Sequence, residues 1–393
     1  MGTINARKLT IGEFVVLALS ARTRSVAAES ADNAALLYYQ AFMLYEQPDR
    51  AMAKMLRDAA TGQVELNDQI RKYVDSSRYA IDLVITGAEL PKCDWGLDYS
   101  KGMALRIPHL NSCKKLAQLV FADARILAAG GDYKTAFGRC VSGKKFARHV
   151  SDRPIIPCMV AVAINTMADK CLQNILADMT DDLEALTWLK DQLAELENTR
   201  YSLKPCLDYE AETTAGLMTR QHLENAMPFG NPGCPPELAK IATERFQKAD
   251  DQFFESNRVY YKKHMGALKS CFDLPYPQAY VKLKELTEKV QTEAVEKPEA
   301  TFTGLFVPPV DHLYVLDLRD KNQSNSVRAA LGVYIMKAKT GRLPDKLPAG
   351  LPKDLFSGKD FEYEMKADGF VLRCREKDPQ KGDFQEYEFK TKK

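Results

Sequence analysis

Residues 341–370 read GRLPDKLPAGLPKDLFSGKDFEYEMKADGF, and they decide how the C-terminal part of the chain is built. Just upstream, SNSVRAALGVYIMKAKT (324–340) carries Ala329, Ala330, Val333, Tyr334 and Met336 at helical spacing. Ser324 or Asn325 is the expected N-cap and Gly341 the expected C-cap. Pro344, Pro348 and Pro352 each lack a backbone donor and hold φ fixed, so the chain must leave the helix as a stiff, extended loop. Asp354 starts a turn that closes at Gly358. FEYEMK alternates aromatic and charged residues, as a half-buried strand does, and Ala367-Asp368-Gly369 is a hairpin signal. FVLRCRE is the second strand and FQEYEFK (384–390) the third. Backbone geometry alone accounts for the density of Pro, Gly and Asp: a helix, a proline loop, and a small antiparallel sheet that packs on the helix.

The rest of the chain reads as helix. Ala34, Leu37, Tyr38, Ala41 and Leu44 mark one buried face, with Asp32 or Asn33 as cap. Residues 109–150 read as a helical hairpin broken at Gly130-Gly131-Asp132. The stretch LAAGGDYKTAF resembles the turn of a tetratricopeptide repeat over about one repeat length of ~34 residues. Cys140 and Gly143 stand where that repeat carries other residues, and no second copy follows at a fixed period. CMVAVAINTMADKCLQNILADM (158–179) is apolar around most of its circumference and predicts a central core helix. An amphipathic helix follows from Asp181-Asp182, then a helix over 205–226, a loop over 227–238, the longest helix over 236–270, and one ending near Val295. Phe246, Phe253, Tyr260 and Tyr261 keep helical spacing and are expected in the core. The period is lost over KPEATFTGLFVPPVDH (297–312), which reads as a connector. The expected fold is mainly α: a body of packed, repeat-like helical hairpins with a small C-terminal α+β unit. Its expected divisions are 1–28, a signal peptide; 29–296, the helical body; 297–323, a connector; and 324–393, the C-terminal unit.

Composition narrows the function classes. With 55 Lys and Arg against 53 Asp and Glu, the net charge is +2, and there is no basic stripe with interleaved aromatics, so nucleic acid is not an expected partner. No run of about 18 apolar residues is present, so no spanning segment is expected in the mature chain. Arg7 and Lys8 precede LTIGEFVVLALSA (9–21), and Val26-Ala27-Ala28 offers small residues before Glu29, which is the pattern of an export signal. Glu13, Arg22 and Arg24 interrupt that pattern, and without processing the expected compartment is the cytoplasm. The nine cysteines include no CxxC pair, and an odd number cannot all pair within one chain.

Chemistry-bearing residues are few. In LPKCDWGLDYSKG (90–102), Asp94 and Asp98 are a candidate carboxylate pair, with Trp95 and Tyr99 as a candidate binding wall, as a hydrolase acting on sugar would need. The same residues equally describe a turn pinned by a buried tryptophan. His109 and Cys113 stand four apart, a spacing that two metal ligands can use, but no two further ligands lie near them in sequence. Gly138–Lys145 loosely resembles a phosphate loop, but it lacks Ser or Thr after the first Lys and lies within a helical pattern. No metal and no cofactor is expected.

Helix, then G-x-x-P-x-x-L (Gly341, Pro344, Leu347), then D-x-F-x-G-x-x-F-x-Y (Asp354, Phe356, Gly358, Phe361, Tyr363), then D-G-F-x-L (Asp368, Gly369, Phe370, Leu372) resembles the C-terminal part of type II secretion pseudopilins. The same tail ends a group of exported, mostly helical bacterial proteins, notably of planctomycetes, which the remainder of the chain (NAALLYYQAF, CDWGLDYSKG) also resembles. Pseudopilins carry a long apolar helix ahead of this unit, whereas residues 297–323 are polar and broken. The resemblance implies an envelope-associated protein and no particular activity. The expected function is therefore a non-enzymatic helical binding or scaffold protein of the cell envelope with a protein or peptide partner. The alternative is a hydrolase-like enzyme with its site in the 93–99 loop.

Overall fold

The computed structural model describes residues 32–179, 181–198, 201–226 and 235–391. The expected signal segment (1–28), Cys234 and most of the loop expected at 227–238 lie outside the described residues. The chain is mainly helical, with one three-stranded antiparallel sheet near its C-terminus.

Four short helices open the body: α1 (Ala34–Leu44), α2 (Arg50–Ala60), α3 (Asp68–Ser76) and α4 (Arg78–Ala88). The first three are started by Asn33, Asp49 and Asn67, whose side chains accept from the N–H groups of Ala35, Met52 and Ile70. The expected hairpin follows as α5 (Leu110–Ala129) and α6 (Tyr133–Val150). Gly131 takes φ +86°, which a residue with a Cβ avoids, and Asp132 caps α6 at the N–H of Thr135. Gly143 is required by packing: a Cβ there would lie 2.2 Å from Cε1 of Phe121 on α5. That close approach explains why the sequence departs from a tetratricopeptide pattern at this position. The loosely phosphate-loop-like run lies wholly inside α6, so its backbone N–H groups bond within the helix instead of forming a cradle.

Helix α7 (Ile155–Asp178) starts directly after Pro154 and packs against α5, α6 and a long helix near the C-terminus. Among the described residues it alone is long and apolar enough to cross a membrane, and 61% of its most apolar window is buried inside the fold. Helix α8 (Leu183–Glu197) turns Leu186, Leu189 and Leu193 inward. Two sequence expectations then fail for one reason, which is local capping. The helix expected over 205–226 stops at Leu217, the end of α9 (Lys204–Leu217), and Thr219 caps the single turn α10 (Arg220–Leu223). The helix expected over 236–270 is two helices, α11 (Pro236–Gln247) and α12 (Asp251–Ser270), because Asp250 accepts from the N–H of Phe253 and starts a new one. Phe246 and Tyr261 are buried as expected, while Phe253 and Tyr260 are half-buried. Helix α13 (Tyr276–Glu296) and the short α14 (Thr301–Phe306) complete this group.

The largest difference concerns the connector. A single helix of 31 residues, α15 (Val310–Thr340), crosses the boundary expected at residue 324. Ser324 and Asn325 are buried in its middle instead of capping it. Its N-terminal half looks like a linker because the face it buries is polar: Asp317, Asp320, Asn322, Ser324, Asn325 and Ser326 are all buried. Its end is as expected, with Gly341 at φ +76° and its N–H on Lys337 O. Helix α15 also joins two apolar cores. Val310, Leu313 and Tyr314 belong to the core built by α9 and α11–α14. Leu318, Val327, Ala330 and Val333 belong to the core shared by α1–α8 and the sheet.

The C-terminal unit follows the sequence reading closely. The proline loop packs over α15 at Gly332, where a Cβ would meet Leu351 Cδ2 at 2.4 Å. Strands β1 (Glu362–Lys366), β2 (Gly369–Lys377) and β3 (Phe384–Lys390) form a meander, with Lys366 paired to Gly369 across the hairpin. Phe370, Leu372, Cys374, Tyr387 and Phe389 face inward. The Asp354 turn is built by a buried carboxylate that accepts from the N–H groups of Phe356 (2.9 Å) and Arg375 (2.9 Å). The same turn recurs between β2 and β3 at Asp378–Gly382. In both, the N–H of the Gly bonds to the Asp carbonyl at 2.8 Å. Asp378 is buried and grips the Arg319 guanidinium of α15 through both oxygens, at 2.5 and 2.7 Å.

Burial alone would raise the Asp378 carboxyl, but Arg319 and the N–H groups of Gln380 and Lys381 outweigh it and hold it down at about 2. A depressed carboxyl contributes stability that is complete above its unfolded value near ~4 and is lost as pH falls toward 2. The shift corresponds to on the order of 2 kcal/mol. Asp378→Asn is therefore expected to unfold at lower urea than the wild type at pH 6, with the gap narrowing between pH 4 and pH 2. A gap independent of pH would refute the role given to this carboxylate.

Candidate functional site

The 93–99 loop is built around Trp95. Its ring is buried and stacks on His109, with centroids 4.1 Å apart and planes 11° apart, and its Nε1–H donates to His149 O at 2.7 Å. Tyr39 donates to Trp95 O at 3.0 Å, and Asn33 holds both backbone groups of Asp94, donating to its carbonyl (2.9 Å) and accepting from its N–H (2.8 Å). The two aspartates do not share a site with that ring. Asp94 is exposed and its Oδ1 accepts from the N–H of Gly96 at 2.9 Å. Asp98 is exposed, accepts from Ser100 and lies 3.8 Å from Lys101. Tyr99 donates to Asp152 at 2.5 Å beneath the Arg153 guanidinium, 4.7 Å above its ring. Each carboxylate thus shapes its own turn, and the hydrolase alternative gains no support from this geometry.

His109 is buried, and neither of its ring nitrogens has a hydrogen-bond partner. Burial pushes its pKa down to about 4, so it is a neutral ring in an aromatic stack. His149 is likewise held near 4, by burial and by Arg148, while its Nδ1 meets Tyr38 Oη at 2.7 Å. Among the described residues no three His, Cys, Asp or Glu side chains converge as a metal site would need.

A denser polar cluster lies where α6, α7 and α15 meet. Lys144 Nζ is 2.6 Å from Asp169 Oδ1, with the two side chains 8% and 1% exposed. Lys144 also donates to Asn165 Oδ1 at 2.9 Å. Ser324 donates to Asp169 Oδ2 at 2.5 Å. Asn165 donates to Asp320 Oδ1 at 2.8 Å, and Tyr201 donates to Asp320 Oδ2 at 2.7 Å. Burial raises the Asp169 carboxyl, and Asp320 raises it further, against the pull of Lys144 and Ser324. The cluster borders a cavity of about 30 Å³, also lined by Arg148, Glu197 and Arg328. That is room for about one water. Although Ser324 Oγ is 3.4 Å from Lys144 Nζ, the pair is not arranged as nucleophile and base. A base must accept a proton from the serine, but Lys144 is paired with a carboxylate and the serine proton points to Asp169. The arrangement is a buried staple between three helices. Sequence reasoning passed over it because its members lie about 20 and then 155 residues apart; a mid-helix run of polar residues at 317–326 was the available signal.

Three wider openings surround this cluster. A cleft of about 350 Å³ lies beside His149, Asp152, Arg153 and Cys206. A groove of about 570 Å³ runs between α7, α15 and β3, past Lys170, Gln323 and Gln385. Another of about 550 Å³ runs between α8, α15 and the proline loop, past Lys190, Arg328 and Leu351. Compared with known proteins, the chain matches no family model, and no curated protein or solved structure is significantly similar to it.

Removing one partner of a buried ion pair leaves an uncompensated charge, whereas replacing both with apolar residues does not. Lys144→Met is expected to cost roughly 3–5 kcal/mol in urea unfolding, and the double change Lys144→Met, Asp169→Leu to recover most of it. Additive losses in that double-mutant cycle would mean that the two side chains do not act as a pair.

Proposed function

We propose that the chain is a non-enzymatic helical binding or scaffold protein of a bacterial cell envelope, and that it receives a protein or peptide partner along α15. The observation that carries this reading is the seam between body and C-terminal unit. Helix α15 is stapled to the body by buried polar contacts, yet a groove of about 570 Å³ lies on one side of it and one of about 550 Å³ on the other. Both are lined by mixed charged, amide and apolar side chains, the composition of protein-recognition surfaces rather than of a closed reaction chamber. The envelope assignment rests on the pseudopilin-like tail motif and on the N-terminal pattern.

A photo-crosslinking residue at Lys170 or Lys190, one in each groove and both exposed, tests the binding reading in the source cells. The expected result is a discrete protein adduct from these positions and none from exposed Lys282 on α13. Equal labelling from all three, or none, would refute the groove. The mass of the native N-terminal peptide tests the compartment separately: a start near Glu29 in the envelope fraction is expected, and an intact Met1 or Gly2 start in the cytosolic fraction would overturn it.

A further inference from the structure

His109 occupies the N-cap position of α5, and its side chain makes no capping bond there. It is 3% exposed, and both ring nitrogens are buried without a hydrogen-bond partner. Buried polar atoms are ordinarily paired, so an imidazole with two orphaned nitrogens needs a reason. The ring is held by packing: Trp95 stacks on it at 4.1 Å, and Tyr39 of α1 meets it edge-on at 6.5 Å. Every element around this corner brings titratable groups to it. Tyr39 belongs to α1, Cys93 and Asp94 to the loop, Cys113 to α5, His149 to α6 and Asp152 to the turn after it. Burial keeps Tyr39 and both thiols uncharged. His149 already meets Tyr38 Oη, with Arg148 acting on it, and Arg153 lies over Tyr99. Asp152 favours a charged His109, but its two oxygens are taken by Tyr99 Oη and the N–H of Arg153.

We propose that His109 is an acid-sensitive latch for the 93–99 loop: when its imidazole takes a proton, the stack on Trp95 breaks and the loop leaves the body. Neutral, the ring sits in the stack as an aromatic side chain does. Protonated, it carries two N–H donors and a positive charge into a site that offers no acceptor, at a helix N-terminus whose dipole repels cations. The face of Trp95 attracts a cation, but that attraction replaces neither the lost water nor the missing acceptors. Turning the ring out to water removes the conflict, and with it the surface on which Trp95 packs. The hydrogen bonds that then hold the loop are few: Asn33 to Asp94, Tyr39 to Trp95 O, Trp95 Nε1 to His149 O, and Tyr99 to Asp152. Release bares Trp95 and the Phe42 ring that packs on it, on a helix that already exposes Leu36 and Met43. Burial lowers His109 to about 4, against ~6.5 for a free imidazole. The released loop therefore binds the proton more tightly than the closed one. Release is favoured as pH falls from ~6.5 toward 4 and is unaffected above that window. Across it the ratio of released to closed loop rises about tenfold per pH unit, roughly 300-fold in all. The latch stands independently of the grooves along α15.

Amide hydrogen exchange of the full chain, followed by mass spectrometry from about pH 7 to 4.5 and corrected for the intrinsic pH dependence of exchange, reads the latch directly. Peptides covering residues 93–104 are expected to exchange about tenfold faster per pH unit below ~6.5, while peptides from β2 do not change. His109→Phe keeps an aromatic ring against Trp95 and cannot titrate, so it is expected to flatten the response of the loop; His149→Gln is expected to leave it. A loop rate independent of pH in the wild type, an equal rise in β2, or an undiminished rise in His109→Phe would overturn the proposal. Loss of the response in His149→Gln with His109 intact would move the sensor to the other ring and overturn it equally. An NMR titration of the His109 ring in the wild type decides the matter even if a variant fails to fold. A midpoint well below 6 is expected, and one near the free value of ~6.5 would mean that the closed loop accepts the proton and no latch exists.

Discussion

The Lys144–Asp169 pair is the contact on which the arrangement of the molecule turns. An isolated charge of either sign could not stay in this interior, so each requires the other and both require the amides and hydroxyls around them. Those partners come from three helices. Lys144 belongs to α6, Asp169 and Asn165 to α7, Asp320 and Ser324 to α15. Satisfying the pair therefore fixes the rotation of α15 about its own axis, because a turn of the helix that moved Ser324 would leave an Asp169 oxygen without its hydroxyl. Apolar packing alone would tolerate several rotations of a helix with so polar a face. With the rotation fixed, Val310 and Tyr314 point into one core and Val327 and Val333 into the other, and the sheet is carried to its place by the end of the same helix. Tyr334 then meets the sheet directly, donating to Lys390 O at 2.5 Å and packing on Phe370.

This explains which parts of the fold were legible in the sequence. The C-terminal unit was readable almost residue by residue because its signals are local: Gly341 must take a positive φ, three prolines forbid helix, and the hairpin turn sits between alternating strands. The hairpin of α5 and α6 was readable for the same reason. The first half of α15 was not, because the usual signal for a helix is an apolar stripe, and here the buried stripe is made of Asp, Asn and Ser. Burial of such residues is stable only when their partners are in place, and those of Asp320 and Ser324 are supplied by segments more than a hundred residues away, those of Asn322 and Asn325 by the C-terminal unit. The breaks at Thr219 and Asp250 were missed although each is a good capping residue, since the apolar period continues through them and outweighed the single polar side chain.

The 93–99 loop shows the opposite error in the reading of function. Two aspartates beside a tryptophan resemble a sugar site only while the side chains are imagined on one side of the backbone. In the fold Trp95 turns inward to stack on His109, and Asp94 and Asp98 turn outward to close their own turns. Sequence spacing carries no information on that choice in an irregular loop, whereas in a helix or strand it would. Beside the loop, burial holds His109 and His149 as neutral rings that pack around Trp95 and Tyr38.

The polar staple and the cleft beside Cys206 are physically connected. Tyr201, which donates to Asp320, lines both the small cavity beside Lys144 and the cleft beside Cys206, and Arg148 does the same. The turn from Tyr201 to Cys206 is therefore held at one end by the buried Asp320 carboxylate and at the other by the Cys206 thiol, which donates to Asp152 O between α6 and α7 at 3.3 Å. Whatever tightens the start of α9 tightens Tyr201 on Asp320, and through it the position of α15 between its two grooves. The coupling needs no long pathway: it runs through one short turn, two side chains and the helix they hold.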